Sequence, residues 1–370
     1  MKTDNNGRLM SLDTLRGLDM LFIMGMAPLI AAICGLWPCE FTDAIAGNMD
    51  HVEWNGLTQH DTIFPLFLFI AGVSFPFSLA KQRAQKRSTS RIYRKIITRG
   101  LVLVLLGMIY NGLFNLDFAN LRVASVLGRI GLAWMLAAII YLNFRTSARV
   151  IIAAAILIGY GLVSYFCIAP DMPGAAPMTW EGNIVGYLDR QYLPGRLIYG
   201  DNFFDPEGLL STIPAIVTAM LGMFTGQFIR RSMISGNRKT AWMLIAAALM
   251  IAAGLLLDGF VPINKKLWSS TFVLVVGGYS LAMMGIMYWL VDVKMWRRWT
   301  LFFRVVGLNS ITIYMLQAIV NLHSASHFFF NGLTEHCPEQ LGRVVSTAGY
   351  VAVCWLILYF LYRKKVFLKV

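Results

Sequence analysis

The residues best suited to acid–base chemistry lie close together in the stretch from His51 to Pro65. An imidazole titrates near neutral pH, so His51 could accept a proton from an attacking amine or hydroxyl. A neighbouring carboxylate would fix its tautomer, and Asp50, Glu53 and Asp61 are all close in sequence. We therefore predict His51 as the catalytic residue and Asp61 as the carboxylate that orients it. The alternative is an exposed loop histidine with no role.

The position of this stretch adds to its interest. It lies where a loop without Lys or Arg runs into the strongly apolar segment 62–80. Titratable groups at such a border are costly to desolvate and usually have a function. His60 directly precedes Asp61, and that carboxylate also suits the positive end of a helix dipole. A loop whose polar groups only hydrate the helix end is the simpler interpretation.

Other polar residues could bind a substrate. Trp54 and Asn55 could form a sugar platform, although a Trp at the membrane interface is the more common reason for an indole there. Asp205 and Glu207 precede another apolar segment, where acids ordinarily mark a helix start. As a pair of acids facing a cavity they could hold a cationic substrate.

Arg129 lies inside an apolar segment, within Leu127-Gly128-Arg129-Ile130-Gly131. A guanidinium in the membrane is expensive and predicts a functional partner. A phosphate would satisfy it through a bidentate contact. A buried carboxylate such as Asp19 would do the same, which leaves a purely structural ion pair as an open alternative.

Two further polar groups enter apolar segments. One is Asn264-Lys265-Lys266-Leu267-Trp268-Ser269, and the other is Asn309-Ser310. Side chains of these types commonly link membrane helices by hydrogen bonds, so a structural role is the competing interpretation. The Gly222 and Gly226 pair indicates close helix packing only. The five cysteines have no metal-ligand spacing and there is no HExxH motif, so we expect no metal site; a disulfide between Cys39 and Cys337 stays open.

The elements that position these residues are membrane helices. The chain has 370 residues, of which 57% are hydrophobic and 14% charged, and several apolar runs approach the length that spans a bilayer. We predict an all-α polytopic membrane protein with about ten spans and a single transmembrane domain. The predicted spans are 17–38, 62–80, 97–115, 123–143, 149–168, 208–229, 240–257, 267–291, 300–321 and 342–362.

The loop charges predict an orientation. Most of the 32 Lys and Arg lie in alternate loops, so both termini are expected in the cytoplasm. The net charge of +13 therefore indicates membrane topology rather than binding of nucleic acid. All five His fall on the outer side, which loops 39–61 and 169–207 are expected to cap. The aromatic residues and acids of the second loop favour a folded cap over a linker.

These residues, taken in order, resemble the heparan-α-glucosaminide N-acetyltransferase family, and the likeness covers nearly the whole chain. The family's members are membrane proteins that acetylate an amino sugar with cytosolic acetyl-CoA. The motifs that carry the resemblance are Ser11-Leu12-Asp13-Thr14-Leu15-Arg16-Gly17, His51-x-x-Trp54-Asn55-Gly56-Leu57-Thr58 with Asp61 and Phe64-Pro65, Val126-Leu127-Gly128-Arg129, Tyr199 with Asp205-Pro206-Glu207-Gly208, Pro262-Ile263-Asn264-Lys265-x-Leu267-Trp268-Ser269, Asn309-Ser310 and Leu361-Tyr362-Arg363-Lys364-Lys365.

The resemblance implies the role of His51, and the roles of the other residues are our own hypotheses. His51 occupies the position of the family's active-site histidine. The sugar pocket is expected to include Trp54, Asn55, Asp205, Glu207, Asn264, Lys265 and Trp268. Acetyl-CoA, as co-substrate, is expected to meet Arg129, Asn309 and Ser310. The expected partners are an amino-sugar glycan, acetyl-CoA and the lipid bilayer, with a homodimer implied by the family.

Rival functions remain at this point. O-acylation of a surface or periplasmic glycan would use the same layout. A sugar or acyl-carrier transporter would place polar residues through the bilayer midplane. Here they cluster at the outer mouth, which favours an enzyme. The first apolar run has no cleavage site and is expected to be a retained helix. Because the sequence is compact and shows no targeting extension, we expect a bacterial inner-membrane protein with its active site facing the periplasm. A lysosomal location would place the same face in the lumen.

Overall fold

The computed structural model describes residues 9–200 and 202–368. This part of the chain is helical and contains isolated bridges but no strand, so the predicted all-α class is confirmed. The helices are α1 Met10–Leu21, α2 Ala27–Cys34, α3 Glu40–Gly47, α4 Ile63–Ala84, α5 Thr89–Tyr110, α6 Val126–Asn143, α7 Thr146–Phe166, α8 Ile184–Tyr192, α9 Thr212–Ile229, α10 Gly236–Leu257, α11 Ser270–Tyr288, α12 Thr300–Leu308, α13 Ser310–Ile319, α14 Leu322–Glu335 and α15 Glu339–Arg363.

Within the described residues, eight helical stretches are long and apolar enough to cross a membrane. The pair α12 and α13, bent by 62° at Asn309, adds a ninth if it forms one span. The remaining predicted segment, 97–115, overlaps α5, which carries Arg91, Arg94, Lys95 and Arg99. Because of these charges, α5 is not among the candidate spans counted above. The predicted number of ten spans is reached only if α5 is added to the other nine.

Both predicted cytoplasmic ends lie partly outside the described residues, which exclude 1–8, 369 and 370. The side of the membrane that each end faces stays a prediction.

The chain divides into two compact units. Of the described residues, the first contains 9–52, 57–63 and 286–368. Its helices α1 and α12 approach so closely that a Cβ at Gly17 would lie 1.7 Å from the carbonyl oxygen of Phe303. Cys39 and Cys337 are both free thiols, so the disulfide left open by the sequence is not formed.

The second unit contains residues 53–56 and 64–285. Here α4 and α9 pack backbone to backbone, because a Cβ at Gly222 would lie 2.0 Å from the carbonyl oxygen of Phe69. A Cβ at Gly226 would lie 2.4 Å from that of Val73. The close packing predicted from the two glycines is confirmed.

Loop 169–207 is folded in the second unit, as the sequence predicts. It contains α8 and the isolated bridges Ile168–Asn183 and Tyr199–Phe204. Trp180 lies beside Phe204, with ring centroids 5.5 Å apart. An aromatic cluster therefore stabilises this loop.

The α4–α9 contact yields a stability test. Gly222→Ala should lower the free energy of unfolding by about 1–3 kcal/mol, because the methyl group overlaps a backbone carbonyl that cannot move freely. Gly159→Ala in α7 is the matched control, since nothing lies within 4 Å of its Cβ position. Thermal unfolding in detergent measures both variants. Equal stability of the two would contradict the close contact.

Candidate functional site

His51 and Asp61 form a direct hydrogen bond in the first unit. His51 Nδ1 lies 2.7 Å from Asp61 Oδ1. The histidine side chain is 45% exposed, whereas that of the aspartate is 1% exposed. An ionised carboxylate at Nδ1 favours the tautomer with its proton on that nitrogen, which leaves the lone pair on Nε2. The imidazole is thus oriented by a buried acid while part of its surface stays accessible.

The other oxygen of Asp61 is held by the same loop. Asp61 Oδ2 accepts from the backbone N–H of Thr58 at 3.3 Å and from that of Val52 at 3.4 Å. The Thr58 hydroxyl lies 2.9 Å from this oxygen and 2.7 Å from the carbonyl oxygen of Asp50. The carboxylate is therefore fixed from both sides before any substrate arrives.

His60 adds a second imidazole to this group. Its ring lies edge-on to that of His51, with centroids 4.5 Å apart. The short 3-10 turn His60–Thr62 carries both His60 and Asp61 into α4. The first unit therefore brings together two histidines and one acid of the predicted stretch.

Residues 53–56 belong to the second unit, where they meet the turn before α11. Asn55 Oδ1 accepts from Asn264 Nδ2 at 3.0 Å, and the Gly56 N–H donates to the carbonyl oxygen of Ile263 at 2.8 Å. Asn264 is fully buried, and its own Oδ1 accepts from the N–H of Leu267 at 2.8 Å. The predicted substrate residues Asn55 and Asn264 are thus brought together.

Trp54 is half-buried rather than open. Its Nε1 donates to the carbonyl oxygen of Met178 at 2.9 Å, and its ring lies 5.1 Å from that of Trp180. The indole therefore joins the aromatic cluster of the folded loop. This contact leaves only part of the ring available to a sugar.

Two lysines lie on the same turn. Lys265 Nζ lies 5.4 Å from the ring centroid of Phe64. Lys266 Nζ donates to the carbonyl oxygen of Glu53 and lies 4.8 Å from the ring of Tyr199. Of the two, the sequence assigns only Lys265 to the sugar pocket.

Asp205 and Glu207 share one cation, Arg122. The guanidinium donates through Nε and Nη2 to the two oxygens of Asp205, both at 2.7 Å, and also to Glu207 Oε2. Burial alone would lower the pKa of Arg122, but the hydrogen bond to Asp205 and the charge of Glu207 raise it. Both carboxylates therefore already pair with a cation of the chain itself, which offsets one of their two negative charges.

A third acid, Asp189 of α8, lies behind this group. Its Oδ1 accepts from the N–H of Leu209 at 2.8 Å, whereas its Oδ2 has no hydrogen-bond partner among the described residues. Burial raises the pKa of the Asp189 carboxyl to about 7, and the negative charge of Asp205 acts in the same direction. The hydrogen bond from Leu209 opposes the shift.

Arg129 is buried at the start of α6. Its Nη2 donates to Ser211 Oγ at 2.6 Å, and its Cζ lies 4.7 Å from the ring centroid of Trp268. Within the described part of the chain its Nε and Nη1 have no hydrogen-bond partner. A buried guanidinium with two unsatisfied donors is costly, so the site is suited to a ligand oxygen. Trp268, also buried, forms part of its support.

Asn309 lies at the 62° bend between α12 and α13 in the first unit. The side chain is 1% exposed, and neither its Oδ1 nor its Nδ2 has a partner among residues that the structure describes. The neighbouring Ser310 is also buried. A carboxamide with an open donor and an open acceptor could bind a polar group of a ligand.

Sequence reasoning assigned no role to Arg122, Asp189 or Ser211. Arg122 had one available signal, since it is a rare cation in a loop on the side poor in Lys and Arg. Asp189 and Ser211 are common polar residues whose neighbours come from distant segments. Thr58 had a local signal, because Thr-x-x-Asp is a capping spacing.

The Arg122 network predicts a large stability effect. Arg122→Gln should lower the free energy of unfolding by about 3–5 kcal/mol, because it leaves two adjacent carboxylates without their cation. Arg343→Gln is the matched control: its pair with Glu339 is exposed, and such pairs contribute about 0–1 kcal/mol. Chemical unfolding in detergent compares them. A loss for Arg122→Gln no larger than that of the control would refute the network.

Asp189 predicts a pH-dependent stability. The pKa of this acid is raised in the folded state, so its contribution is fully present below about pH 4 and is lost as the pH rises through about 7. Asp189→Asn should therefore gain thermal stability relative to wild type between about pH 5 and 8. The control Asp117→Asn should not, because hydrogen bonds from Asn120 lower the pKa of that exposed acid. If the melting temperatures of wild type and Asp189→Asn changed with pH in the same way, the raised pKa of Asp189 would be contradicted.

Comparison with known proteins gives a family. Residues 8–253 match the family described as "Heparan-alpha-glucosaminide N-acetyltransferase, catalytic". The chain is 28% identical to heparan-alpha-glucosaminide N-acetyltransferase of Homo sapiens over 98% of its own length and 60% of the relative's. The Mus musculus protein of the same name is also 28% identical, over 86% of this chain and 56% of the relative. The chain thus spans less than two thirds of these relatives.

The matched region contains the His51–Asp61 pair, the Arg122 network and Arg129, and it covers well over half of the chain. The protein belongs to the heparan-alpha-glucosaminide N-acetyltransferase family.

Proposed function

We propose that the protein transfers an acetyl group from cytoplasmic acetyl-CoA to the amine of an amino sugar on the extracytoplasmic side of the membrane. The acceptor that we propose is a terminal glucosamine of a heparan-like glycan or a related sugar. The observation that carries this proposal is the 2.7 Å contact between His51 and the buried Asp61. Family membership supports the reaction class.

In the proposed reaction, the uncharged sugar amine attacks the thioester carbonyl carbon, and His51 Nε2 accepts a proton from the nitrogen as the new bond forms. The carbon–sulfur bond then breaks. The thiolate of CoA takes the proton from His51, so the products are an amide and free CoA. Asp61 stabilises the imidazolium that exists between these steps.

A two-step route would use the same nitrogen as a nucleophile. Nε2 would carry the acetyl group as acetyl-histidine before the amine displaces it. The hydrogen bond to Asp61 serves this route equally well, because it holds the proton on Nδ1. A burst of CoA release without acceptor would distinguish it from direct transfer.

For the sugar we propose Asn55, Asn264 and Lys265 as binding groups, with the partly exposed edge of Trp54 as an apolar surface. Fixed amides are suited to sugar hydroxyls, since each offers a donor and an acceptor. Asp205 and Glu207 contribute through Arg122, which holds both of them. We propose that they shape the pocket rather than bind an ammonium themselves.

For acetyl-CoA we propose Arg129, supported by Trp268, and the Asn309–Ser310 pair. Nε and Nη1 of Arg129 and both polar side-chain atoms of Asn309 support this assignment, because they lack a hydrogen-bond partner among the described residues. Burial of Arg129 favours a polar oxygen of the co-substrate at this position. An inner-membrane location with the active site facing the periplasm completes the proposal.

The experiment uses purified protein in detergent with labelled acetyl-CoA. The acceptors are glucosamine and a heparan-derived disaccharide with a free amine. His51→Ala should lower kcat by about 10²–10⁴-fold, the usual contribution of a general base. Asp61→Asn should lower kcat at least about tenfold with a smaller change in KM, because it disturbs orientation and tautomer. Binding of acetyl-CoA should persist in both.

His336→Ala is the matched control, because this exposed histidine caps the end of α14 and should leave the rate unchanged. Robust transfer by His51→Ala would overturn the catalytic assignment. An alkali-labile ester product in place of an amide would show O-acylation instead. Uptake of sugar into proteoliposomes that survives His51→Ala, without transfer, would show a transporter.

A further inference from the structure

A polar cavity lies in the second unit, at one end of four helices. It encloses about 600 Å³ and is lined by residues of α4, α6, α7 and α9. Four arginines contribute to its wall: Arg83, Arg145, Arg149 and Arg230. They belong to the loops that the charge pattern predicts on the cytoplasmic side. The reaction proposed above does not use this cavity.

No Asp or Glu of the described residues lies within ion-pair distance of any of these guanidinium groups. The side chains of Arg83 and Arg145 are exposed and make no hydrogen bond within the described part of the chain. Like charges gathered around one cavity repel, so an anion in the cavity would stabilise the folded protein.

Two of the arginines are held in place by the protein. Arg149 donates to the Phe144 carbonyl oxygen at 2.8 Å and to Gln227 Oε1 at 3.1 Å. Its Cζ lies 3.8 Å above the ring centroid of Tyr141. Arg230 donates to the Pro76 carbonyl oxygen at 2.9 Å. Fixed guanidinium groups lose little freedom on binding and are suited to bidentate contacts with phosphate.

The wall of the cavity favours an amphiphile over a soluble phosphate compound. Leu79 and Ala80 line it from the last turns of α4, next to the charged residues. Tyr141 is the aromatic residue of the lining, and Arg149 already covers its ring, so a nucleotide base has no free ring to stack on. The cavity lies where membrane helices end, which is the depth of lipid headgroups.

We propose that this arginine cavity binds the phosphate headgroup of an anionic phospholipid. The phosphate contacts the four guanidinium groups, and the apolar part of the wall accepts the start of an acyl chain. The proposal is independent of the acetyl-transfer reaction, so either can fail alone.

The test compares two double variants of the full chain. Arg83→Gln with Arg145→Gln removes two cavity charges without breaking a hydrogen bond within the described residues. Arg91→Gln with Arg238→Gln is the matched control, since both are exposed arginines of the same predicted side and lie outside the lining. Native mass spectrometry in detergent measures binding of phosphatidylglycerol against phosphatidylcholine, and thermal unfolding measures the resulting stabilisation.

Wild type and the control pair should prefer phosphatidylglycerol, and the cavity pair should bind it roughly tenfold more weakly. The thermal stabilisation by phosphatidylglycerol should fall in the cavity pair alone. An equal loss in both pairs, or no lipid preference in wild type, would overturn the proposal. Displacement of phosphatidylglycerol by inorganic phosphate or ADP would also overturn it, by identifying a soluble phosphate compound as the occupant.

Discussion

The local structure around His51 depends on the burial of one carboxylate. Asp61 is almost fully shielded from solvent, so an ion there must be compensated by hydrogen bonds. The loop supplies them by folding back on itself: the N–H of His60 donates to the Asn48 carbonyl oxygen, and Thr58 reaches Asp50. The same bends that satisfy Asp61 bring His51 to it. The orientation of His51 and the stability of the loop are therefore two results of one interaction.

The same constraint separates two kinds of buried polar residue in this protein. Arg122 forms ion pairs with Asp205 and Glu207, and such a network mainly stabilises the fold. Arg129 and Asn309 keep donors or acceptors that the described residues do not satisfy. Unsatisfied groups cost stability, and proteins usually retain them where a ligand completes the site. Burial alone does not distinguish a structural polar residue from a ligand-binding one, whereas the presence or absence of hydrogen-bond partners does.

Sequence reasoning succeeded where partners are close along the chain. His51 and Asp61 are ten residues apart, and hydropathy identified the helices because a membrane imposes a strong pattern. It failed where partners come from distant segments. Arg122 lies 83 residues from Asp205, and no local feature reveals that contact. The indole of Trp54 likewise donates to the carbonyl oxygen of Met178, 124 residues away, a contact that no local feature reveals.

The composition of α5 has a consequence for how the chain enters the membrane. Four cationic residues in its amino-terminal half make partition of this helix alone unfavourable. Its surface is complementary to α6, where a Cβ at Gly131 would lie 2.6 Å from the carbonyl oxygen of Gly100. Asn111 closes the loop between α5 and α6, because its side-chain amide donates to the carbonyl oxygens of Arg122 and Ala124. Insertion of the two helices as one hairpin is therefore energetically more favourable than insertion of α5 alone.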